Sequence, residues 1–360
     1  MTRGGLDTGF RYGGRADYLL NIDGQKAGLW EGLFIDLHAE TLYGSSVNSF
    51  TGALLPTSLA QAVPVVSGEV TALTGVKVTQ ALSENFLVYL GKINVLDTFN
   101  QPFTGGARGT NGFWNAGLLL PPTLARTLPY STYGAGFAVL SEKQPVFAVS
   151  VFDTYNSPTT SGFERFFVNG ATVVAQATLP TSFFGRPGHQ SIGGSYSSGR
   201  YAALDNTLPY LISQRLQGEL PPLPQETGSW ALFYMFDQAV WVDAANPQRS
   251  WGVFGNLSLS DGNPNPIRWA SSIGVGGSSP FACRKLDTFG IGYFYIGASD
   301  ALKNFAPRLL PLRDEHGVEL FYNAAVTPWF HLTPDFQVIT PVRDRAETSV
   351  NVGIRGKIDF

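Results

Sequence analysis

The chain has 360 residues, of which 14% are charged, 13% are aromatic and 41 are glycine. The charged fraction lies well below the roughly 25% of an average soluble domain. A formal net charge of −3 offers no basic surface, so nucleic acid is not expected as a partner. No apolar run reaches the ~18 residues that a transmembrane helix needs, which excludes helical membrane spans.

A period of two runs through the chain from end to end. At the C-terminus Val350, Val352 and Ile354 alternate with polar Asn351 and Arg355, which puts apolar and polar side chains on opposite faces of a strand. The pattern predicts about 15 strands of ~10 residues, the length of a tilted strand that crosses a bilayer. In chain order they are 10–23, 28–43, 69–80, 84–97, 132–141, 144–156, 170–180, 188–203, 228–241, 249–261, 266–276, 286–299, 315–327, 328–340 and 349–360.

The connections between these segments alternate in length. One set is short, at 81–83, 141–143 and 327–328, and the other is long, at 44–68, 98–131, 204–227 and 300–314. Tight turns at one end and long loops at the other are typical of outer-membrane barrels. The fold class predicted is therefore all-β, an antiparallel up-and-down transmembrane β-barrel that forms a single domain over residues 1–360.

Charged residues lie on the polar face of strands that are otherwise apolar. Facing lipid at the midplane, such a residue would cost about 2–4 kcal/mol, whereas water in a lumen solvates it. We therefore expect these residues to line the lumen wall: Asp36, His38, Glu40, Arg355 and Lys357. Alternation alone also fits a soluble secreted β protein that binds or cleaves carbohydrate, and this alternative stays open.

The N-terminus departs from the expected pattern in two ways. The first residues lack the apolar segment of a signal peptide, and an odd strand count does not place both termini on one side of the membrane. A first strand and a signal peptide upstream of Met1 would account for both, and we expect them there.

Residues 315–341 resemble the penultimate hairpin of the carbohydrate-selective porin (OprB-like) family. The shared residues are Glu319, Phe321-Tyr322-Asn323, Thr327-Pro328-Trp329, Thr333-Pro334-Asp335 and Gln337-Val338-Ile339. Further stretches similar to this family are 90–97, 111–115 and 251–264, and the resemblance extends over most of the chain.

The resemblance implies a sixteen-stranded barrel in the outer membrane of a Gram-negative bacterium, crossing it many times and passing small sugars and some ions by diffusion. It implies no enzyme activity and no cofactor. Outer-membrane lipid would surround the barrel, and the barrel-assembly machinery would read the terminal Phe360. Homotrimers are common among porins, but the sequence leaves the subunit number open.

The long 98–131 connection is the candidate constriction, because a loop of this length in a compact protein is usually functional. Aromatic rings stack on sugar rings, while arginine and amide groups bind hydroxyls. The candidates within it are Phe103, Arg108, Phe113, Trp114, Asn115 and Arg126, and Lys92 and Asp97 lead into it. An extracellular loop whose aromatics pack locally is the alternative.

A second wall patch comes from the resembling hairpin, and its polar residues are Glu319, Asn323, His331, Asp335 and Gln337. They either contact solute or form structural hydrogen bonds across adjacent strands. A carbohydrate-active enzyme would need two convergent carboxylates, and the pairs Asp36/Glu40 and Glu319/Asp335 keep that alternative open. A barrel with a plugged lumen is a third possibility.

Neither histidines nor cysteine indicate a metal site. The histidines His38, His189, His316 and His331 include no His-x-x-x-His pair, so zinc is not expected. The lone Cys283 can form neither an internal disulfide nor a cysteine-based metal site.

Overall fold

The computed structural model describes residues 2–65, 68–99, 101–205, 223–305 and 310–360. Over these residues the chain forms one sheet of 16 strands with three short α-helices. The strands are β1 Thr2–Gly5, β2 Gly13–Asp23, β3 Leu33–Gly44, β4 Val70–Ser83, β5 Phe86–Asn94, β6 Ser131–Ser141, β7 Gln144–Asp153, β8 Ala171–Phe183, β9 Arg186–Ala202, β10 Gln225–Val242, β11 Ser250–Ser260, β12 Ile267–Ser278, β13 Thr288–Ala298, β14 Glu315–Ala325, β15 Phe330–Thr340 and β16 Glu347–Ile358. The helices are α1 Asn48–Thr51, α2 Ala116–Leu119 and α3 Asp300–Lys303.

The sheet is an up-and-down antiparallel barrel wall. From β2 to β16 each strand pairs with its neighbour in sequence, and β1 pairs with β16. This confirms the predicted fold class, and all 15 predicted segments overlap an observed strand. The predicted count was one too low, because β1 has only four residues, two of them glycine, and such a segment shows no alternation.

The margins of the sheet are β1 and β2. The β1–β16 ladder begins at the Thr2–Asn351 pair and ends at the Gly5–Glu347 pair, so it covers only part of β16. Within the described residues no ladder joins β1 to β2. The expectation of a strand and a signal peptide before Met1 stays a prediction.

The two ends of the barrel differ as the sequence indicated. At one end, here called the short-turn end, two-residue turns at Glu142-Lys143 and Phe184-Gly185 have positive φ at both positions, the geometry that matches the twist of a hairpin. The opposite, long-loop end carries connections such as 45–69, 95–130 and 154–170. Most of the predicted 204–227 connection, residues 206–222, lies outside the described residues.

The outer face of the wall is apolar. Leu90, Ile273 and Ile354 expose 59%, 58% and 70% of their surface there, although each belongs to a residue type that usually avoids water. A continuous exposed apolar surface of this kind suits contact with lipid chains. Within the described residues no helix is long and apolar enough to span a membrane.

The inner face is covered by two segments of the chain, 47–63 and 95–130. Phe113 and Leu118 of the second segment are fully buried, and the Phe113 ring centroid lies 4.8 Å from that of Phe321 on β14. Glycines of the wall make room for them. A Cβ at Gly290 would lie 2.7 Å from the Phe113 ring, and one at Gly292 would lie 2.7 Å from Leu118. The backbone of the wall therefore approaches the inner segments closely.

Candidate functional site

The connection between β5 and β6 turns inward and lies on the inner face of the wall. It starts with a 3₁₀ turn at Val95–Asp97, continues through α2 and ends with a 3₁₀ turn at Pro122–Arg126. Asn115 caps α2, since its side chain accepts a hydrogen bond from the Gly117 N–H. The segment 95–130, here called the inner loop, therefore has a defined conformation inside the barrel over its described residues, 95–99 and 101–130.

A fully buried carboxylate on β14 holds the middle of the inner loop. Glu319 accepts hydrogen bonds from the backbone N–H groups of Trp114 and Asn115, at 2.5 and 2.9 Å. The Asn115 side chain donates to the Gln337 side-chain oxygen on β15 at 3.2 Å. Two backbone N–H groups and a fully buried acceptor side chain meet here, so Glu319 is a firm point of attachment.

Arg355 on β16 forms a second attachment beside the first. Its guanidinium donates to the carbonyl oxygens of Gly109 and Gly112, at 2.9 and 3.2 Å. The guanidinium carbon lies 5.3 Å from the centroid of the Trp114 ring, a cation–π geometry. The ring also lies against Gly353, where a Cβ would come within 2.6 Å of it. Trp114 is thus held between the wall and Arg355.

The Glu319 and Asp335 pair lies beneath the inner loop. Both side chains are buried, and one oxygen of Asp335 accepts from the Gln337 side chain at 2.9 Å. The pair Asp36/Glu40 is divided between different partners, since Asp36 lies 3.1 Å from the Lys77 ammonium and Glu40 contacts Arg15. In both pairs the carboxylates are engaged with other groups of the protein.

A network of charges on β2 and β3 holds the start of the inner loop. His38 has a carboxylate at each ring nitrogen, with Asp97 of the loop at 2.8 Å and Asp17 of β2 at 3.0 Å. Asp97 also pairs with the Arg108 guanidinium at 2.6 Å. Burial by itself would raise the pKa of Asp97, but the hydrogen bond and charge of His38 and the charge of Arg108 outweigh it and lower that pKa.

The same network reaches the end of the inner loop through Glu40. This buried carboxylate accepts from the Tyr130 hydroxyl at 2.5 Å and from the Asn94 side chain at 3.3 Å. Burial raises the pKa of the Tyr130 phenol, so it stays a hydrogen-bond donor. Ligand atoms of Asp17, His38 and Glu40 lie within 4.8 Å of one another. The Arg15 guanidinium contacts both of these carboxylates and places a positive charge between them.

Four further candidates gather at the short-turn end of the lumen. Phe103 has a left-handed backbone, with φ of 71°, and its ring lies against the glycines of β11 and β12. Together with Asn323, His331 and Lys357 it lines a cavity of about 520 Å³. At the opposite end Arg126 donates to the Ala202 carbonyl oxygen at 3.1 Å, and burial lowers the pKa of its guanidinium.

Lys92 is not at the constriction. It pairs across the sheet with Val76 and Tyr133, which puts its side chain on the outer face. Its ammonium donates to the Thr160 carbonyl oxygen of the 154–170 connection at 2.8 Å. The prediction of a lumen role for this residue was wrong, because Lys92 shares the outer face of β5 with Leu90, where the 154–170 connection covers its charge. Phe360 ends the chain beyond β16 and is exposed.

Two residues of the charge network were missed from the sequence. Arg15 and Asp17 lie two positions apart on β2, and so share a face of that strand. That spacing is the same signal that identified Asp36, His38 and Glu40. Gln101 was also missed. It fixes the inner loop to the wall by donating to the Phe236 and Gly255 carbonyl oxygens, both at 3.1 Å.

Comparison with known proteins agrees with this architecture. The family model for the carbohydrate-selective porin, OprB family, matches residues 7–360. Porin B of Pseudomonas aeruginosa is 26% identical over 186 residues, which are 45% of this chain and 40% of that protein. The chain thus matches less than half the length of this curated relative.

Solved structures show the same fold. The high-pH structure of Pseudomonas putida OprB gives a TM-score of 0.82 at 19% identity, covering 99% of this chain and 90% of that one. A loop-deletion mutant of OmpT, an outer membrane protein of Vibrio cholerae, gives 0.53 at 13% identity, with 99% and 94% covered. These identities show fold alone, whereas the family match spans nearly the whole sequence. The chain therefore belongs to the carbohydrate-selective porin, OprB family, of outer-membrane β-barrels.

Proposed function

We propose that this chain is a passive pore for small sugars and some ions in the outer membrane of a Gram-negative bacterium, with its constriction set by the inner loop. The observation that carries the proposal is the attachment of this loop to the inner wall by two buried networks, one around Glu319 and Arg355 and one around His38 and Asp97. A loop held in this way narrows the lumen without needing to move during transport.

The groups on the loop suit neutral, hydroxyl-rich solutes. Arg108 keeps about a quarter of its side chain exposed, and Trp114 and Arg126 are partly exposed. An aromatic face and a guanidinium bind a sugar ring and its hydroxyls. Because Arg108 is already paired with Asp97, it acts as a hydrogen-bond donor more than as a free charge. Contacts of this kind admit a solute and release it again.

The surroundings of the pore follow from the same proposal. The apolar outer face would contact outer-membrane lipid, and the exposed terminal Phe360 would be read by the barrel-assembly machinery. The pore would act without catalysis and without a cofactor. We extend the proposal to a homotrimer, an assembly that is common among porins.

Single-channel recording in a planar bilayer tests the proposal. The folded chain is expected to give a stable conductance that millimolar glucose or maltose reduces. Arg108→Ala should weaken the block by sugar, while Phe184→Ala, in a turn at the short-turn end, should leave it unchanged. Conductance that sugar does not affect would remove the sugar claim and leave a general porin. If folded, heat-modifiable protein gives no conductance, the pore proposal is refuted and a plugged barrel is favoured. The buried apolar cluster on the inner face would then be the plug.

A further inference from the structure

The connection between β7 and β8, residues 154–170, folds outward and not inward. Its 3₁₀ turn at Phe163–Arg165 places the Phe163 ring centroid 4.8 Å from that of Tyr133, and the Phe166 centroid is 5.4 Å away. Tyr133 pairs with Lys92, two positions beyond the Leu90–Ala135 pair of the apolar outer face. Since alternate residues share a face, Tyr133 also faces outward.

Three large apolar side chains of this connection are exposed, next to the exposed polar residues Glu164, Arg165 and Asn169. Phe163, Phe166 and Val168 expose 67%, 50% and 78% of their surface. Beneath them Lys92 is only 7% exposed, because its ammonium is turned to the Thr160 carbonyl oxygen. The segment thus covers a charge on the outer wall and replaces it by an apolar surface, here called the outer patch: Phe163, Phe166 and Val168.

We propose that the outer patch is an anchor that inserts among the acyl chains of the outer-leaflet lipid, at the boundary with the headgroups. Lys92 and Tyr133 lie near the ends of β5 and β6 at the long-loop end, which is the level of a membrane interface. Aromatic side chains are enriched at that level.

Two observations favour lipid over another occupant. The outer patch continues directly into the lipid-facing surface below it, which on these strands includes Leu90, Phe147 and Val151, all exposed. The 154–170 segment is also fastened to the wall, because buried Asp153 at the end of β7 accepts from the backbone N–H groups of Tyr155 and Phe167, at 3.0 and 2.9 Å. A loop meant for solution would have no reason to present three apolar side chains on a fixed backbone.

The attachment also accounts for Lys92. An exposed lysine at the lipid midplane costs about 2–4 kcal/mol, and roughly 0–1 kcal/mol near the interface. With the segment folded over it, the ammonium has a hydrogen-bond acceptor and no contact with acyl chains. The same fold of the 154–170 segment therefore both covers Lys92 and exposes the outer patch.

Lipid-depth quenching of single bimane labels tests this inference in the full chain reconstituted into vesicles. In a Cys283→Ser background, Phe163→Cys carries the label at the outer patch and Leu90→Cys carries it at a lipid-facing reference position. The native Cys283, exposed next to Arg284 and Lys285 in the turn at the opposite end, is the aqueous control. Val168→Cys repeats the measurement at a second position, in case Phe163→Cys does not fold.

Lipids brominated on the acyl chains should quench the label at position 163 at least half as strongly as at position 90, and leave Cys283 nearly unaffected. Aqueous iodide should give the reverse order. Strong iodide quenching at positions 163 and 168 with no effect of bromolipid would overturn the proposal and show a solvated loop. Shielding from both quenchers would equally overturn it, since the patch would then be covered by protein, as in contact with a second copy. None of these outcomes depends on whether the pore passes sugar.

Discussion

Replacing Glu319 by alanine should release the inner loop from the wall. The substitution leaves the backbone N–H groups of Trp114 and Asn115 without their acceptor in a buried place. A buried donor left unsatisfied costs about 1–3 kcal/mol, so two of them cost about 2–6 kcal/mol if the loop stays where it is. That is a large part of the stability of many domains. The loop should therefore detach locally and widen the lumen.

Two measurements test the effect of Glu319→Ala, and a matched variant elsewhere in the barrel serves as the control. Because a detached loop returns both N–H groups to water, urea unfolding should show a free energy that is lower by at most about 6 kcal/mol, and single-channel recording should show larger and noisier currents. Asp153→Ala is the control, because Asp153 is also buried and also receives two backbone N–H groups, but from the outer 154–170 connection. It should lose comparable stability and keep the wild-type conductance. If Glu319→Ala destabilises the barrel and leaves the current unchanged in size and noise, this carboxylate does not hold the constriction.

Three more predictions concern pH, the wall and assembly. The pKa of Asp97 is lowered in the folded state, so its contacts with His38 and Arg108 contribute their full stability above the ordinary pKa of about 3.9 and lose it as the pH falls through the lower folded value. Conductance should therefore hold steady from neutral pH to about pH 4 and become noisier below that. A change in conductance already at about pH 6 would contradict this prediction. Gly353→Val should push the Trp114 ring off the wall and change both its fluorescence and the block by sugar, whereas Gly185→Val, where an added Cβ meets open space, should change neither even if it strains the turn. Phe360→Ala should lower the yield of barrel in the outer membrane while refolded protein melts as before; equal yield would remove the role of this residue in assembly.

The wall of the barrel could be predicted from sequence, and the reason is local. A strand with one face to lipid and one to water alternates visibly, and the residues of β16 show both sets of side chains. The inward positions of His38 and Glu40 followed from the same parity. Strand β1 was not predicted, because four residues that include two glycines show no alternation of apolar and polar side chains. Its partner strand, and not its own sequence, defines it.

The contacts of the inner loop could be predicted only as a set of residue types. The sequence singled out Trp114, Asn115 and Glu319, but their meeting joins positions more than 200 apart in the chain. Lys92 shows the opposite failure. On parity it belongs to the outer face, and only the fold of a later connection explains why a charge is tolerated there. The alternation of residues along the strands does not predict how the loops pack against the wall.

The wall glycines under the inner loop have a consequence for how such a channel can change. At Gly290, Gly292 and Gly353 the barrel presents bare backbone, so the bore is set by the side chains resting on it and not by the number of strands. A single methyl group added at Gly353 would displace the partly exposed ring of Trp114, and one at Gly290 or Gly292 would displace buried Phe113 or Leu118, which hold the loop on the wall. Substitutions at these wall glycines can therefore change the permeability of the channel while every solute-contacting residue stays the same.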